Sequence, residues 1–386
     1  MIDIKEKKRC TGCGACASVC PVSCIAMQPD AEGFLYPDVN KELCIACGRC
    51  EKVCPVKKLY AEVGVCLAYA AISRNEQIRK ESSSGGVFTE LAQYILANGG
   101  VVFGAAFDEK FKVRHIWIED EGQLHRLRGS KYVQSEIGDS FHAAKKFLEQ
   151  GRMVYFSGTP CQIAGLHSFL GKQYANLYTQ DIICHGTPSP SIWERYIKFR
   201  EAKAGSQVKR IVFRNKENGW RSYSIRFEFA NNKIYDQSIM QDPYMQSFLT
   251  DLCLRPSCYD CAFKSKHRTA DITLADFWGV QNYNPNLDDN RGTSLVLALS
   301  EKGRQLISAI GNSLQFDTTE CEQALSHNPS FYQSASMKAE RSSFMHDIFN
   351  IKFSTIKKRY FRERVLIRFK RRAKIVIKRI FLRSNI

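Results

Sequence analysis

Apolar positions along the chain follow a period of about two in some stretches and of three to four in others, and these alternate through the central part. Residues 65–72 read as a strand, broken by Glu81-Ser82-Ser83-Ser84-Gly85-Gly86. Val87, Phe88, Leu91, Tyr94 and Ile95 then fall on one face of a helix closed by Gly99-Gly100. Strands are predicted at 101–107 and 113–119, a helix at 140–150 and a strand at 153–156. The turn Ser157-Gly158-Thr159-Pro160-Cys161 opens a helix over 162–170, and a strand over 177–183 ends at Cys184-His185-Gly186-Thr187-Pro188. Strand, glycine turn, helix, strand is a βαβ unit, so the body is expected to be α/β, with a mixed parallel sheet and ligands at strand ends. Alternation between 208 and 235 around Asn231-Asn232 predicts a hairpin-like pair, and Ala270 to Gly279 reads as a strand running into a turn.

The first 54 residues follow a different rule, set by cysteine. Cys10, Cys13, Cys16 and Cys20 recur 34 positions later as Cys44, Cys47, Cys50 and Cys54, with Gly14/Gly48 and Pro21/Pro55 in register. Two-residue gaps let three thiolates of one loop converge on a cubane, and the fourth cysteine of each run lies on the turn leading to the other cluster. Two [4Fe-4S] clusters are therefore predicted, one held by Cys10, Cys13, Cys16 and Cys54, the other by Cys44, Cys47, Cys50 and Cys20. Structural zinc also uses paired cysteines, but it gives no reason for a third evenly spaced cysteine and a Cys-Pro in both copies. Cys24 and Cys66 fall outside the repeat and are read as small apolar fillers.

Composition narrows the class. Sixteen cysteines in 386 residues would suit a disulfide framework only in a short secreted domain, and Met1 to Arg9 has no apolar signal core, so a cytoplasmic protein is expected. The longest apolar runs, 101–107 and 294–299, are far short of a bilayer span. Of the formal +17, residues 351–386 carry fourteen Lys or Arg against Glu363 alone, leaving +4 for the other 350 residues. No nucleic-acid groove is expected on the body. In the tail, Leu366, Phe369, Ala373, Val376 and Ile380 form an apolar stripe among basic residues. That pattern suits peripheral contact with an anionic membrane face better than a partner's docking groove, and either better than nucleic acid; a solvated basic extension is the plain alternative.

Further cysteines stand beside turns in the body: Cys161, Cys184 and the pair Cys258/Cys261. They form a metal site only if folding gathers them, and scattered buried thiols are the alternative. Cys253 with Cys258 and Cys261 offers a competing local run, whereas Cys321 is read as core. The serines and glycines at 82–86 could seat an anion such as a flavin pyrophosphate at a helix N-terminus, or serve only as a cap.

Together, Glu81 to Gly86, Gly158-Thr159-Pro160-Cys161-Gln162, Cys184-His185-Gly186, the Cys258/Cys261 pair and Ala270 to Gly279 resemble the beta-subunit family of coenzyme F-420 hydrogenases and dehydrogenases over about residues 65–330. The resemblance implies an FAD-containing α/β domain with its own [4Fe-4S] cluster, fused behind a ferredoxin-like α+β module. On that basis Cys161, Cys184, Cys258 and Cys261 become ligands of a third cluster. Ser83, Ser84, Gly85, Gly86, Gly158 and Thr159 become flavin contacts, and Lys131 a flavin or substrate contact. His185 and Asp276 are read as proton donors or cofactor contacts, with a hydrogen-bonded structural role as the alternative. The implied layout is a module over 1–60, a flavin-binding body over 61–335 and a basic amphipathic helical tail over 336–386. A nickel-binding subunit would need a second C-x-x-C pair outside the module, so this chain is not expected to activate hydrogen itself. Fused relatives are often associated with bacterial polysaccharide synthesis, so the hydride acceptor need not be coenzyme F-420. The function implied is an oxidoreductase passing electrons between clusters and FAD, in exchange with a redox partner protein or a small-molecule hydride carrier. The rival is a non-enzymatic electron-transfer adaptor docking on a partner enzyme.

Overall fold

The structure, a computed structural model, describes residues 1–58, 67–264 and 268–361. Residues Met1–Lys338 form one compact unit and Ala339–Ile386 a second.

The N-terminal module is built on its repeat. Gly14 and Gly48, both in the left-handed region at φ +79° and +71°, turn the chain into the short helices Ala15–Ser18 and Arg49–Lys52. A side chain would be strained there, which accounts for glycine at both positions. Between the copies, β1 (Ile25–Pro29) and β2 (Leu35–Val39) pair antiparallel.

The body carries an eight-stranded mixed sheet. Its strands are β3 (Leu67–Ser73), β4 (Val101–Phe107), β5 (Val113–Ile118), β6 (Val154–Ser157), β7 (Leu177–Ile182), β11 (Ile272–Asp276), β12 (Ser294–Ala298) and β13 (Leu314–Thr319). Their spatial order is β13-β3-β12-β11-β7-β6-β4-β5. The central run β4, β6, β7, β11 is parallel, and antiparallel pairs flank it. A separate antiparallel sheet of β8 (Val208–Asn215), β9 (Ser224–Phe229) and β10 (Ile234–Ser238) includes the hairpin expected around Asn231-Asn232.

Alternating strand residues divide between two cores, as a period of two requires. Val101, Phe103, Val154 and Phe156 meet Phe141, Ile163 and Leu166 of the helices Ser140–Glu149 and Pro160–Leu170. Val102 and Tyr155 point the other way, toward Leu91 and Ile95 of the helix Val87–Ala97 and Leu306 of the helix Glu301–Ala309. The first core also contains Cys13, Ala15, Cys16, Cys50 and Val53 of the module. The module and the body thus share one core, each fully buried large apolar side chain in it contributing roughly 1.5–3 kcal/mol. Polar contacts fix the join: Gln134 Nε2 donates to Thr11 O at 3.1 Å, and Ser189 Oγ donates to Glu32 O.

In the second unit, the helices Arg341–Asn350 and Phe353–Tyr360 are tied by Tyr360 Oη donating to Asp347 Oδ2 at 2.8 Å and by an edge-on Phe344–Tyr360 ring pair at 5.2 Å. The apolar stripe 366–380 lies outside the described residues, as does Cys66. Among the described residues no helix is long and apolar enough to cross a membrane.

Candidate functional site

Folding sorts the cysteines into three sets, each around its own cavity. One cavity is lined by Cys10, Cys13, Cys16 and Cys54, so Cys54 crosses from the second repeat to complete the first run. A second is lined by Cys44, Cys47, Cys50 and Cys20, the reciprocal crossing, together with Cys24. The third is lined by Cys161, Cys184, Cys258 and Cys261, drawn from three separate segments. Parallel strands position two of these: Cys161 lies just beyond β6, at the start of the helix Pro160–Leu170, and Cys184 just beyond β7. These adjacent strand ends are where an open α/β sheet presents ligands. Cys258 sits on the turn Pro256–Asp260. Cys253 is fully buried and does not line this cavity. Cys24 is buried beside the second set, its Sγ 3.4 Å from Cys20 Sγ, and Cys321 is partly buried at the edge of a core cluster.

The donor chemistry suits iron–sulfur cores. Burial pushes the Cys13 and Cys16 thiols up to about 12, and the thiols of Cys10 and Cys54 add like-charge repulsion. Burial likewise raises Cys161 to about 12 and moves Cys184 and Cys261 upward. Such sulfurs become thiolates together only when a cation shares their charge, so metal loading must release protons. Among the described residues no group of three or more His, Cys, Asp or Glu could hold a single metal ion. Each set of thiols lines a cavity. Sulfur-directed hydrogen bonds are in place: Ile2 N donates to Cys50 Sγ at 3.2 Å, Thr187 N to Cys258 Sγ at 3.4 Å, and Thr159 Oγ1 lies 3.2 Å from Cys161 Sγ.

The three cavities adjoin in series. Ile2 lines the first while its N–H reaches Cys50 of the second. Thr11 lines both the first and the third. At Gly165, on the helix Pro160–Leu170 that carries Cys161, an added Cβ would lie 3.2 Å from Cys13 Sγ, so a larger residue would press on the first set. The second set is the outermost, since Cys47 is exposed between the exposed Leu43 and Ile45 and the chain beyond.

Beyond the third cavity, aromatic rings lead inward to a cleft. His185, beside Cys184, donates from Nε2 to Asp251 Oδ1 at 2.6 Å, and its Nδ1 lies 3.3 Å from Ser330 Oγ. Its ring lies 5.2 Å from Phe248, which stacks on Tyr132 at 4.8 Å; Tyr132 lies 5.5 Å from Phe213. Phe213 lines a cleft of about 1090 Å³ whose walls carry ten Lys or Arg against four Asp or Glu. That excess favours an anionic occupant.

Of the residues expected at a flavin, Ser83 and Lys131 line this cleft. Ser83 Oγ accepts from Ser130 N at 2.7 Å. The Lys131 ammonium donates to the carbonyls of Leu127, Arg128 and Gly129, and burial pushes it down to about 7. Ser84, Gly85 and Gly86 do not line it: Ser84 Oγ donates to Thr293 O, Gly85 packs on Ala71 O and Ser294, and Gly86 caps the helix Val87–Ala97. Gly158 and Thr159 lie beside the third thiol set, where Thr159 forms a capping box with Gln162. Asp276 receives Arg214 through both guanidinium nitrogens (2.7 and 3.2 Å) and Trp220 Nε1 at 3.0 Å. It therefore fixes Arg214 in the cleft wall. Lys216, missed in the sequence, donates to three carbonyls there, and burial with the Arg214 and Arg79 charges lowers it to about 8. Arg255, Lys264 and the ring pair Phe248/Tyr132 were also missed. The one available signal was basic residues interleaved with the cysteines at 253–264.

Comparison with known proteins gives three family matches. Residues 9–58 match the family described as a 4Fe-4S dicluster domain. Residues 68–141 match the N-terminal part, and 151–324 the C-terminal part, of the coenzyme F420 hydrogenase/dehydrogenase beta subunit. Among solved structures, a chain of the F420-reducing [NiFe] hydrogenase complex from Methanosarcina barkeri, studied as a xenon derivative, aligns at 17% identity and TM-score 0.44 over 70% of this chain and 91% of its own. No curated protein matches the chain.

Proposed function

This chain belongs to the coenzyme F420 hydrogenase/dehydrogenase beta-subunit family, with a 4Fe-4S dicluster domain ahead of it, and from that premise we propose that it is an oxidoreductase conducting electrons between its surface and FAD in the large cleft. The observation that carries this reading is the series of three thiol-lined cavities joined to that cleft by aromatic rings. Cys20, Cys44, Cys47 and Cys50 would hold the outer cluster, Cys10, Cys13, Cys16 and Cys54 the middle one, and Cys161, Cys184, Cys258 and Cys261 the inner one. When bound, the clusters supply one-electron transfer and the flavin couples it to two-electron hydride exchange with an organic acceptor.

The residues of the chain hold these groups and keep water out. Phe248 and Tyr132 fill the interval between His185 and the cleft with apolar rings, which removes solvent from the electron's route. Lys131 and Lys216, their own donors held by backbone carbonyls, contribute fixed positive charge toward the flavin's diphosphate, and Phe107, Phe111 and Phe213 supply an apolar wall for its ring system. His185 links Asp251 and Ser330 through its two ring nitrogens at the edge of the inner cavity.

The test is anaerobic purification with iron, sulfide and flavin measured together. About twelve iron atoms and about one flavin per chain are expected. About eight iron atoms without flavin would instead identify an electron-transfer adaptor.

A further inference from the structure

Resting on the cluster assignments above, we infer that Arg255 is a positioning residue that sets the potential of the middle cluster and ties it to the inner one. The guanidinium is 1% exposed, and among the described residues none of its hydrogen-bond partners is a carboxylate. Arg255 Nε donates to Cys10 O at 2.7 Å, one terminal nitrogen to Gln134 Oε1 at 3.0 Å, and the other to Leu35 O at 2.9 Å and toward Cys10 Sγ at 3.6 Å. Its flat faces lie against Tyr36 at 4.2 Å and Phe34 at 5.5 Å. Burial pushes the Tyr36 phenol up to about 12, so that neighbour stays neutral.

A guanidinium cannot shed its proton, and burying one without an anion is strongly unfavourable. Neutral carbonyls and rings relieve part of that cost; the sulfur it addresses identifies the missing counter-charge. A [4Fe-4S] core with four thiolates is a net anion and becomes more negative when it accepts an electron. A fixed cation with an N–H directed at a ligand sulfur favours that reduced state and raises the potential.

The placement has two further marks of a built site. Gly12, in the left-handed region at φ +69°, lies under the guanidinium, where an added Cβ would sit 2.8 Å from an Arg255 nitrogen. In addition, Arg255 lines the inner cavity with Cys161 and Cys184, and its backbone carbonyl accepts from Cys258 N at 2.9 Å. One residue therefore touches the ligand shells of both clusters, and it comes from the body while its target sulfur belongs to the module. With the middle cluster raised, an electron arriving from the outer cluster is held next to the inner one.

The test uses the full-length holoprotein carrying Arg255→Gln or Arg255→Lys, reduced stepwise with dithionite and followed by electron paramagnetic resonance, with iron and sulfide measured in each sample. In Arg255→Gln one cluster signal is expected to shift to lower potential while the other two stay in place. Arg255→Lys, which keeps the charge but loses the fork, should shift the same signal by less. Unmoved potentials in a fully loaded Arg255→Gln protein would overturn the inference, as would a common drift of all three signals. If Arg255→Gln fails to retain iron, Arg255→Lys decides: a single lowered potential supports the role, and an unchanged one refutes it. Wild-type protein without iron and sulfide would instead bring down the cluster assignments themselves.

Discussion

The thiols of the module and those of the body come to line shared cavities by opposite routes. In the module, three ligands of each set lie within seven residues of one another, and only the crossing cysteine comes from afar. In the body, Cys161, Cys184 and the Cys258/Cys261 pair are separated by long stretches of chain, and their meeting depends on β6 and β7 lying side by side. Closing long loops costs more entropy than closing a short turn, though the cost grows slowly with length. A sheet with two packed faces therefore has to assemble the body set, whereas glycine-started turns nearly assemble the module sets alone. A thiol set written locally is portable; one written across a sheet is bound to its fold.

Breaking the crossing ligand should have the largest effect. Cys54→Ser removes the thiol that the second repeat lends to the middle set, and iron analysis should show a loss of about four of about twelve atoms. Cys184→Ser provides the matching cut in the body. It should remove a similar amount of iron and leave two cluster signals intact, and loss of all iron would show that the two regions are not separable.

The shared core offers a third way to probe the comparison. Phe141 is fully buried in the cluster that holds module and body together. Phe141→Ala should lower stability by about 3–5 kcal/mol, read by anaerobic urea unfolding. The module signals and the body signals should then be lost in one transition, and two separate transitions would contradict the common core.

A smaller effect concerns the cleft. Because burial places the Lys131 ammonium near 7 instead of in the ordinary lysine range, its positive charge is lost as pH rises through about 7. Binding of an anionic nucleotide, measured by calorimetry, should weaken by roughly threefold to tenfold between about pH 6 and 8, and Lys131→Met should flatten that dependence. Stability moves in the opposite sense: above about 7 the unfolded chain holds the proton that folded Lys131 has released, so stability rises with pH toward the ordinary lysine value. Smallest for the redox chemistry is removal of residues 362–386, which should leave iron and flavin unchanged while reducing flotation with anionic vesicles. Equal flotation of the two proteins would exclude a membrane role for the tail.

Much of the architecture was legible because its signals are local. The strands at 101–107 and 177–182, the helix ending at Leu170 and the turn at Asn231-Asn232 all follow from periodicity and turn residues. The helices Pro190–Ala204 and Pro243–Leu249 were not anticipated. Both begin at a Ser-Pro or Asp-Pro step, which is a helix start signal, and in the longer one Ile192, Trp193, Tyr196 and Ile197 fall on one buried face. The serine–glycine segment shows the reverse problem. Its composition suits an anion, yet Ser84 to Gly86 are engaged with Thr293, Ser294 and Ser73 from distant strands, and only Ser83 turns toward the cleft.

By itself the sequence determined which residues could be ligands, the 34-residue repeat that interleaves eight of them, and the alternation of strand and helix, because each depends on neighbours within a few turns of chain. Only the tertiary structure decided that Cys161, Cys184, Cys258 and Cys261 surround one cavity while Cys253 does not, that a body arginine addresses a module sulfur, and that Phe248 and Tyr132 bridge to a basic cleft. Those relations join residues tens to hundreds of positions apart, and they are set by which strands pair and which faces pack, information that no single stretch of sequence carries.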